Sequence, residues 1–143
     1  MKKNLMFLIS ITFMCIFFTA NVITASDIPE NIVMESKVYP KHSKPLISFT
    51  HKKHSADYGI ACTGCHHNYK DNKNVWKQGD AVLKCDECHS EAKKPKDEEI
   101  AKEEEMKKYH YTAIHENCKG CHAALKKEGK ETGPTTCTKC HVK

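Results

Sequence analysis

Four copies of one pentapeptide constrain this chain more than any other feature: Cys62-Thr63-Gly64-Cys65-His66, Cys85-Asp86-Glu87-Cys88-His89, Cys118-Lys119-Gly120-Cys121-His122 and Cys137-Thr138-Lys139-Cys140-His141. Together they use every cysteine beyond Cys15. C-x-x-C-H is the attachment signature of c-type heme. Two thiols two residues apart can each add to one of the two vinyl groups on a porphyrin edge, and the next residue then lies where an imidazole reaches the iron. A single copy is a weak signal, because cysteine and histidine also fall together in other metal sites. Four copies that account for all these cysteines are a strong one. The predicted attachment residues are therefore Cys62, Cys65, Cys85, Cys88, Cys118, Cys121, Cys137 and Cys140, with His66, His89, His122 and His141 as proximal ligands of four hemes c.

Two simpler readings compete. An even cysteine count in an exported chain suggests a disulfide framework, but such frameworks staple distant segments, and four close pairs each followed by histidine would be an odd way to do so. Structural zinc would explain the C-x-x-C pairs. It leaves unexplained a histidine after every pair and six further histidines.

The hemes also answer a problem of composition. Met1-Lys2-Lys3, an apolar run over residues 5–20 and the small residues Thr24-Ala25-Ser26 read as a secretory signal peptide over residues 1–26, cleaved after Ala25 or Ser26. The run is long enough to raise an uncleaved membrane anchor as the alternative. The bulky residues before Cys15 do not form a lipobox. Leu, Ile, Val and Phe supply only 15 of the remaining 117 residues, too few for a chain that must bury its own core. Either the chain is disordered or something other than side chains provides that core. The same portion holds 21 lysines, no arginine and 18 acidic residues, a net charge of about +3. That is not the dense basic stripe of a nucleic-acid binder, and bidentate base or phosphate reading by arginine is unavailable to it.

A second axial ligand is the next requirement. Beyond the four proximal residues stand His42, His51, His54, His67, His110 and His115, enough to close every iron with two to spare. Irons ligated by two histidines keep no open position, which predicts electron transfer rather than catalysis at iron, at low potentials.

The run FTHKKHSADYGIACTGCHH, with two histidines three apart, then the first heme motif, then a doubled histidine, resembles the class III tetraheme cytochromes c. The resemblance covers roughly residues 46–142. It implies a small, mainly α and irregular multiheme cytochrome fold, with the chain wrapped around a four-heme core and little β structure. It also implies a periplasmic electron carrier of anaerobic respiration whose partners are redox proteins such as a hydrogenase or a membrane-bound redox complex, with no stable membrane insertion once the signal is removed. By the family's ligand pattern, His51 is the distal ligand of the heme on Cys62/Cys65, His54 of that on Cys118/Cys121 and His67 of that on Cys85/Cys88. For the heme on Cys137/Cys140 the pattern points to the histidine shortly before the third motif, and His115 is preferred to His110 for its Ala113-Ile114-His115 setting. Departures from the family are the C-x-x-C-H spacing at all four sites, where many members have a longer second and fourth motif, and a longer interval between His54 and Cys62. The competing function is a multiheme reductase with one open heme site.

Along the rest of the chain, Pro29, Pro40 and Pro45 predict an extended N-terminal segment over residues 27–45, ahead of the tetraheme domain at 46–143. Residues 46–49 read as a short strand and residues 70–78 as a loop, with Trp76 packed on a heme face. Residues 96–115 are the strongest helix signal, with Asp97 as N-cap and i, i+4 pairs Glu98/Lys102, Glu103/Lys107 and Glu104/Lys108. Short helices are expected at the heme motifs, and Gly129 and Gly133-Pro134 mark the turn before the last. Lys126, Lys127, Lys130, Lys139 and Lys143 form a candidate docking rim for an acidic partner.

Overall fold

The computed structural model describes residues 28–142. The predicted signal peptide, and Lys143 of the proposed rim, lie outside them. Among the described residues no helix is long and apolar enough to cross a membrane.

Among the described residues, strands are confined to two small ladders. β1 (Ile32–Val33) pairs antiparallel with β2 (Ser48–Phe49) in the register Ile32↔Phe49 and Val33↔Ser48. β3 (Tyr69–Lys70) turns back on β4 (Lys73–Asn74). The region expected as a loop is thus a hairpin with Asp71 and Asn72 at its tip, both in the left-handed region with φ of 50° and 60°. A two-residue connection of that kind matches the strand twist, and Asp and Asn tolerate it better than most residues. Asn74 then ties the hairpin to the first heme motif: its Oδ1 accepts from Asn68 N–H and Trp76 N–H, and its Nδ2 donates to the His66 carbonyl at 3.1 Å.

Helical structure follows the heme motifs. Cys62–Gly64 form a 3-10 turn, and α1 (Cys85–Cys88) and α5 (Cys137–Cys140) are single turns. Between the last two, α2 (Lys102–Lys108) precedes α3 (His110–His115), a π-helical turn (Glu116–Gly120) and α4 (Cys121–Lys127). The last three run on without leaving helical geometry. A second π-helical turn spans Lys53–Asp57.

The helix predicted over residues 96–115 is corrected in two respects. It begins only at Lys102, after Ala101 rather than Asp97, and it breaks at Tyr109, whose φ of −99° and ψ of 118° are extended. At that break Tyr109 forms a parallel bridge to Glu91 and becomes 3% exposed, with its hydroxyl donating to the Glu98 carboxylate. Burying the aromatic ring outweighs helical continuity where few other apolar groups are available. Glu98, drawn to Tyr109 and to Lys108 at 3.2 Å, is no longer a helix residue, and Lys102 pairs instead with Glu116 at 2.8 Å.

The N-terminal segment is extended, as its prolines require, and it is also bound in. Met34 N–H donates to the Ile47 carbonyl at 2.8 Å. Ser36 and the Lys37 N–H both donate to Asp86 Oδ2, at 2.9 and 2.8 Å, which fastens the segment to α1. Tyr39 lies edge-on to His110, its ring center 5.5 Å away. The polypeptide core is nonetheless slight. Tyr109 is the buried hydrophobic residue among those described, while Val82, Leu83 and Val142 are each more than half exposed.

Candidate heme-binding sites

Eight histidines form four facing pairs. His51 and His66 have ring centers 6.0 Å apart, His67 and His89 5.9 Å, His54 and His122 6.3 Å, and His115 and His141 6.5 Å. Nitrogen-to-metal bonds of about 2.0–2.1 Å on both sides of an ion, plus roughly 1.1 Å from each nitrogen to its ring center, separate two trans imidazole centers by about 6.3 Å. All four separations fit one iron. Each pair unites a motif histidine with the partner that the family pattern assigns to it. Of the two candidates before Cys118, His115 is the one facing His141. His110 is buried, its Nδ1 3.1 Å from the Tyr39 hydroxyl, and His42 lies beside the same tyrosine.

A pair of opposed imidazoles supplies only two ligands and leaves the plane between them open, which suits a planar macrocycle. Among the described residues no three His, Cys, Asp or Glu side chains converge to cage a bare ion, and none of the eight motif cysteines is joined in a disulfide. Six of those cysteines are exposed, and Cys62 and Cys140 are half-buried. Desolvation, first, and then the neighboring thiols of Cys65, Cys85, Cys140 and Cys121 push the Cys118 thiol up to about 11, so sulfurs from all four motifs lie within electrostatic reach of one another. Desolvation likewise lowers the pKa of His66, aided by His51 and His67, which favors the neutral imidazole that a metal requires.

Local geometry places these rings. His51 and His54 flank the start of the π-helical turn at Lys53–Asp57, and adjacent His66 and His67 send their rings to different partners. The helical run over residues 110–127 carries His115, Cys118, Cys121 and His122 in fixed relation. Six of the eight rings are also oriented through Nδ1, each within hydrogen-bond distance of a backbone carbonyl: Pro29 for His51, Thr50 for His54, Lys107 for His89, Tyr111 for His115, Pro134 for His122 and Pro45 for His141. With Nδ1 donating, the Nε2 lone pair is left for a metal. Sequence reasoning missed these acceptors. Three of them are proline carbonyls, and the available signal was that proline, with no N–H of its own, keeps its chain segment out of regular helix.

The model of the class III cytochrome c family matches residues 29–141. The chain belongs to that family. It is 34% identical over 123 residues to cytochrome c3 of Maridesulfovibrio salexigens, a match covering 82% of this chain and 97% of the relative. Against cytochrome c3 of Desulfovibrio desulfuricans the figures are 30% over 124 residues, 82% and 98%. Among solved structures, the di-tetraheme cytochrome c3 from Desulfovibrio gigas superposes with a TM-score of 0.53 at 23% identity, covering 82% of this chain and 99% of that one. The small, mainly helical and irregular fold with its two-stranded ladders is that of a class III cytochrome, and the chain is a multiheme electron-transfer cytochrome carrying heme c.

Proposed function

We propose that the chain carries four hemes c, each closed by two histidines, and shuttles electrons at low potential between redox proteins of the periplasm. The observation that carries this reading is the set of four imidazole pairs, each with a separation that suits one iron. His51/His66 would serve the heme on Cys62/Cys65, His67/His89 that on Cys85/Cys88, His54/His122 that on Cys118/Cys121 and His115/His141 that on Cys137/Cys140. Heme supplies a one-electron center that changes oxidation state while its ligands stay in place.

The residues of the chain do the remaining work. Each histidine pair would hold one heme iron from both sides, which would keep small oxidants and substrates off the metal. The links His51 to His54, His66 to His67 and His115 to His122 hold neighboring sites at short, fixed spacing. Exposed Lys126, Lys127 and Lys139 give the C-terminal end a positive surface for an acidic redox partner such as a hydrogenase or a membrane-bound complex. Export by the residue 1–26 signal accords with c-type maturation outside the cytoplasm.

Expression with a c-type maturation system, followed by mass and by optical and magnetic spectra, tests the reading. Four covalent hemes, all low-spin, are expected. A high-spin iron that binds carbon monoxide in the native protein would instead indicate a reductase, and the absence of heme would return zinc to consideration.

A further inference from the structure

The four ring pairs are of two kinds. In His51/His66 and His67/His89 the imidazole planes cross at 80° and 81°. In His54/His122 and His115/His141 they stand 26° and 35° apart. The same division appears in what orients the rings. Every ring of the near-parallel pairs bonds through Nδ1 to a backbone carbonyl at short range: His54 to Thr50 at 2.8 Å, His122 to Pro134 at 2.9 Å, His115 to Tyr111 at 2.7 Å and His141 to Pro45 at 2.8 Å. Each crossed pair has one ring so held, at longer range, with His51 3.3 Å from Pro29 and His89 3.0 Å from Lys107. Its second ring has no such carbonyl and rests on an aromatic side chain, whereas the aromatic contacts of the near-parallel pairs, Phe49 on His54 and Tyr111 on His115, come in addition to the carbonyl bonds. His66 stacks on Trp76 at 5.0 Å and 28°, and His67 lies 5.4 Å from Tyr69. Gly133 adds a further constraint on His122. A Cβ at that position would meet Cε1, Nε2 and Nδ1 of the imidazole at 2.5, 2.8 and 3.0 Å, so the ring lies flat against bare backbone.

Building on the bis-histidine reading proposed above, we infer that the chain builds two electronically distinct pairs of heme sites. The crossed pair, on the motifs at Cys62 and Cys85, takes up electrons before the near-parallel pair on the motifs at Cys118 and Cys137. Two physical effects act in the same direction. An imidazole π orbital overlaps the one iron d orbital perpendicular to its ring plane. Parallel rings act on the same d orbital and split the pair, whereas crossed rings act on one each and leave the pair nearly degenerate. That splitting sets the anisotropy of a low-spin ferric ion. An N–H donated to a carbonyl also makes the imidazole more basic and favors the ferric state. The near-parallel sites have two short bonds of this kind each, the crossed sites one longer bond each. Uptake is one electron per iron, ferric to ferrous, with no bond made or broken. Trp76, Gly133 and the six carbonyls act here as positioning groups.

The test is electron paramagnetic resonance of the oxidized holoprotein, followed through a stepwise reductive titration with dithionite. Four low-spin irons are expected, two with strongly anisotropic signals and two with rhombic signals, and the anisotropic two should be lost first. Gly133→Ala should shift one rhombic signal alone, and Trp76→Leu one anisotropic signal alone. The inference is overturned if four low-spin irons form a single class, divide three to one, or lose the rhombic signals first, or if either variant moves a signal of the other class. Fewer than four low-spin irons would mean that the bis-histidine reading itself had failed. The wild-type spectrum decides both points even if a variant does not fold.

Discussion

Beyond its first turn, where His110 and Tyr111 donate to Glu91 and Ala92, the run over residues 110–127 is helical throughout, and four site residues, His115, Cys118, Cys121 and His122, take their relative positions from that local geometry. Residues 28–49 contain none of the cysteines or histidines assigned to a heme. They are held by contacts to distant parts of the chain: Ser36 and Lys37 to Asp86, Tyr39 to His110, and the Pro29 and Pro45 carbonyls to His51 and His141. The helical run carries ligands by local bonding, and the extended segment orients ligands carried elsewhere by long-range bonding. With so little apolar side chain buried, neither region has a polypeptide core of its own to rest on.

The largest expected effect breaks the comparison altogether. Protein made without heme maturation should show no cooperative melt by far-ultraviolet circular dichroism, because a helical run draws most of its stability from tertiary packing and the extended segment has nothing to dock on. A native-like transition would mean that the polypeptide core suffices after all.

Within the helical run, His115→Ala should convert one iron of four to a high-spin form that binds carbon monoxide. His110→Ala should leave all four low-spin and cost about 1–3 kcal/mol of stability, through loss of a part-buried hydrogen bond to Tyr39. Optical spectra with and without carbon monoxide separate the two, and the reverse result would exchange the roles assigned to them.

The extended segment is best probed at Asp86. Burial alone would raise its pKa, but the Lys37 N–H and the Ser36 hydroxyl, helped by the charges of Lys37 and His110, outweigh that and hold it below the ordinary 3.8. A carboxylate depressed in the folded state stabilizes the fold fully above its unfolded pKa, and that contribution disappears as pH falls through the folded value. Asp86→Ala should therefore destabilize by about 1–3 kcal/mol near neutrality, with the gap to wild type in chemical denaturation closing in acid. A gap independent of pH would show that the charge contributes nothing. Smallest of all, breaking the exposed Lys102–Glu116 pair between α2 and the helical run should lower stability less than either change above, and less still in high salt.

The two regions differ as much in how legible they were. The heme motifs and the short helices at the motifs could be read directly, because thioether attachment imposes a fixed spacing on neighboring residues. The break at Tyr109 could not, since it depends on Glu91, a residue distant in sequence that becomes a neighbor only on folding. Nor could the hairpin at Asp71 and Asn72, where polar composition looked like a loop, or the close approach of Gly133 to His122.

The sequence by itself determined the cofactor chemistry, the number of attachment motifs and the need for a core not made of side chains, since each rests on local spacing or composition. Only the tertiary structure decided which spare histidine faces His141, which carbonyl each imidazole meets and at what angle paired rings stand. Those depend on segments far apart in the chain, and no local spacing encodes how such segments meet.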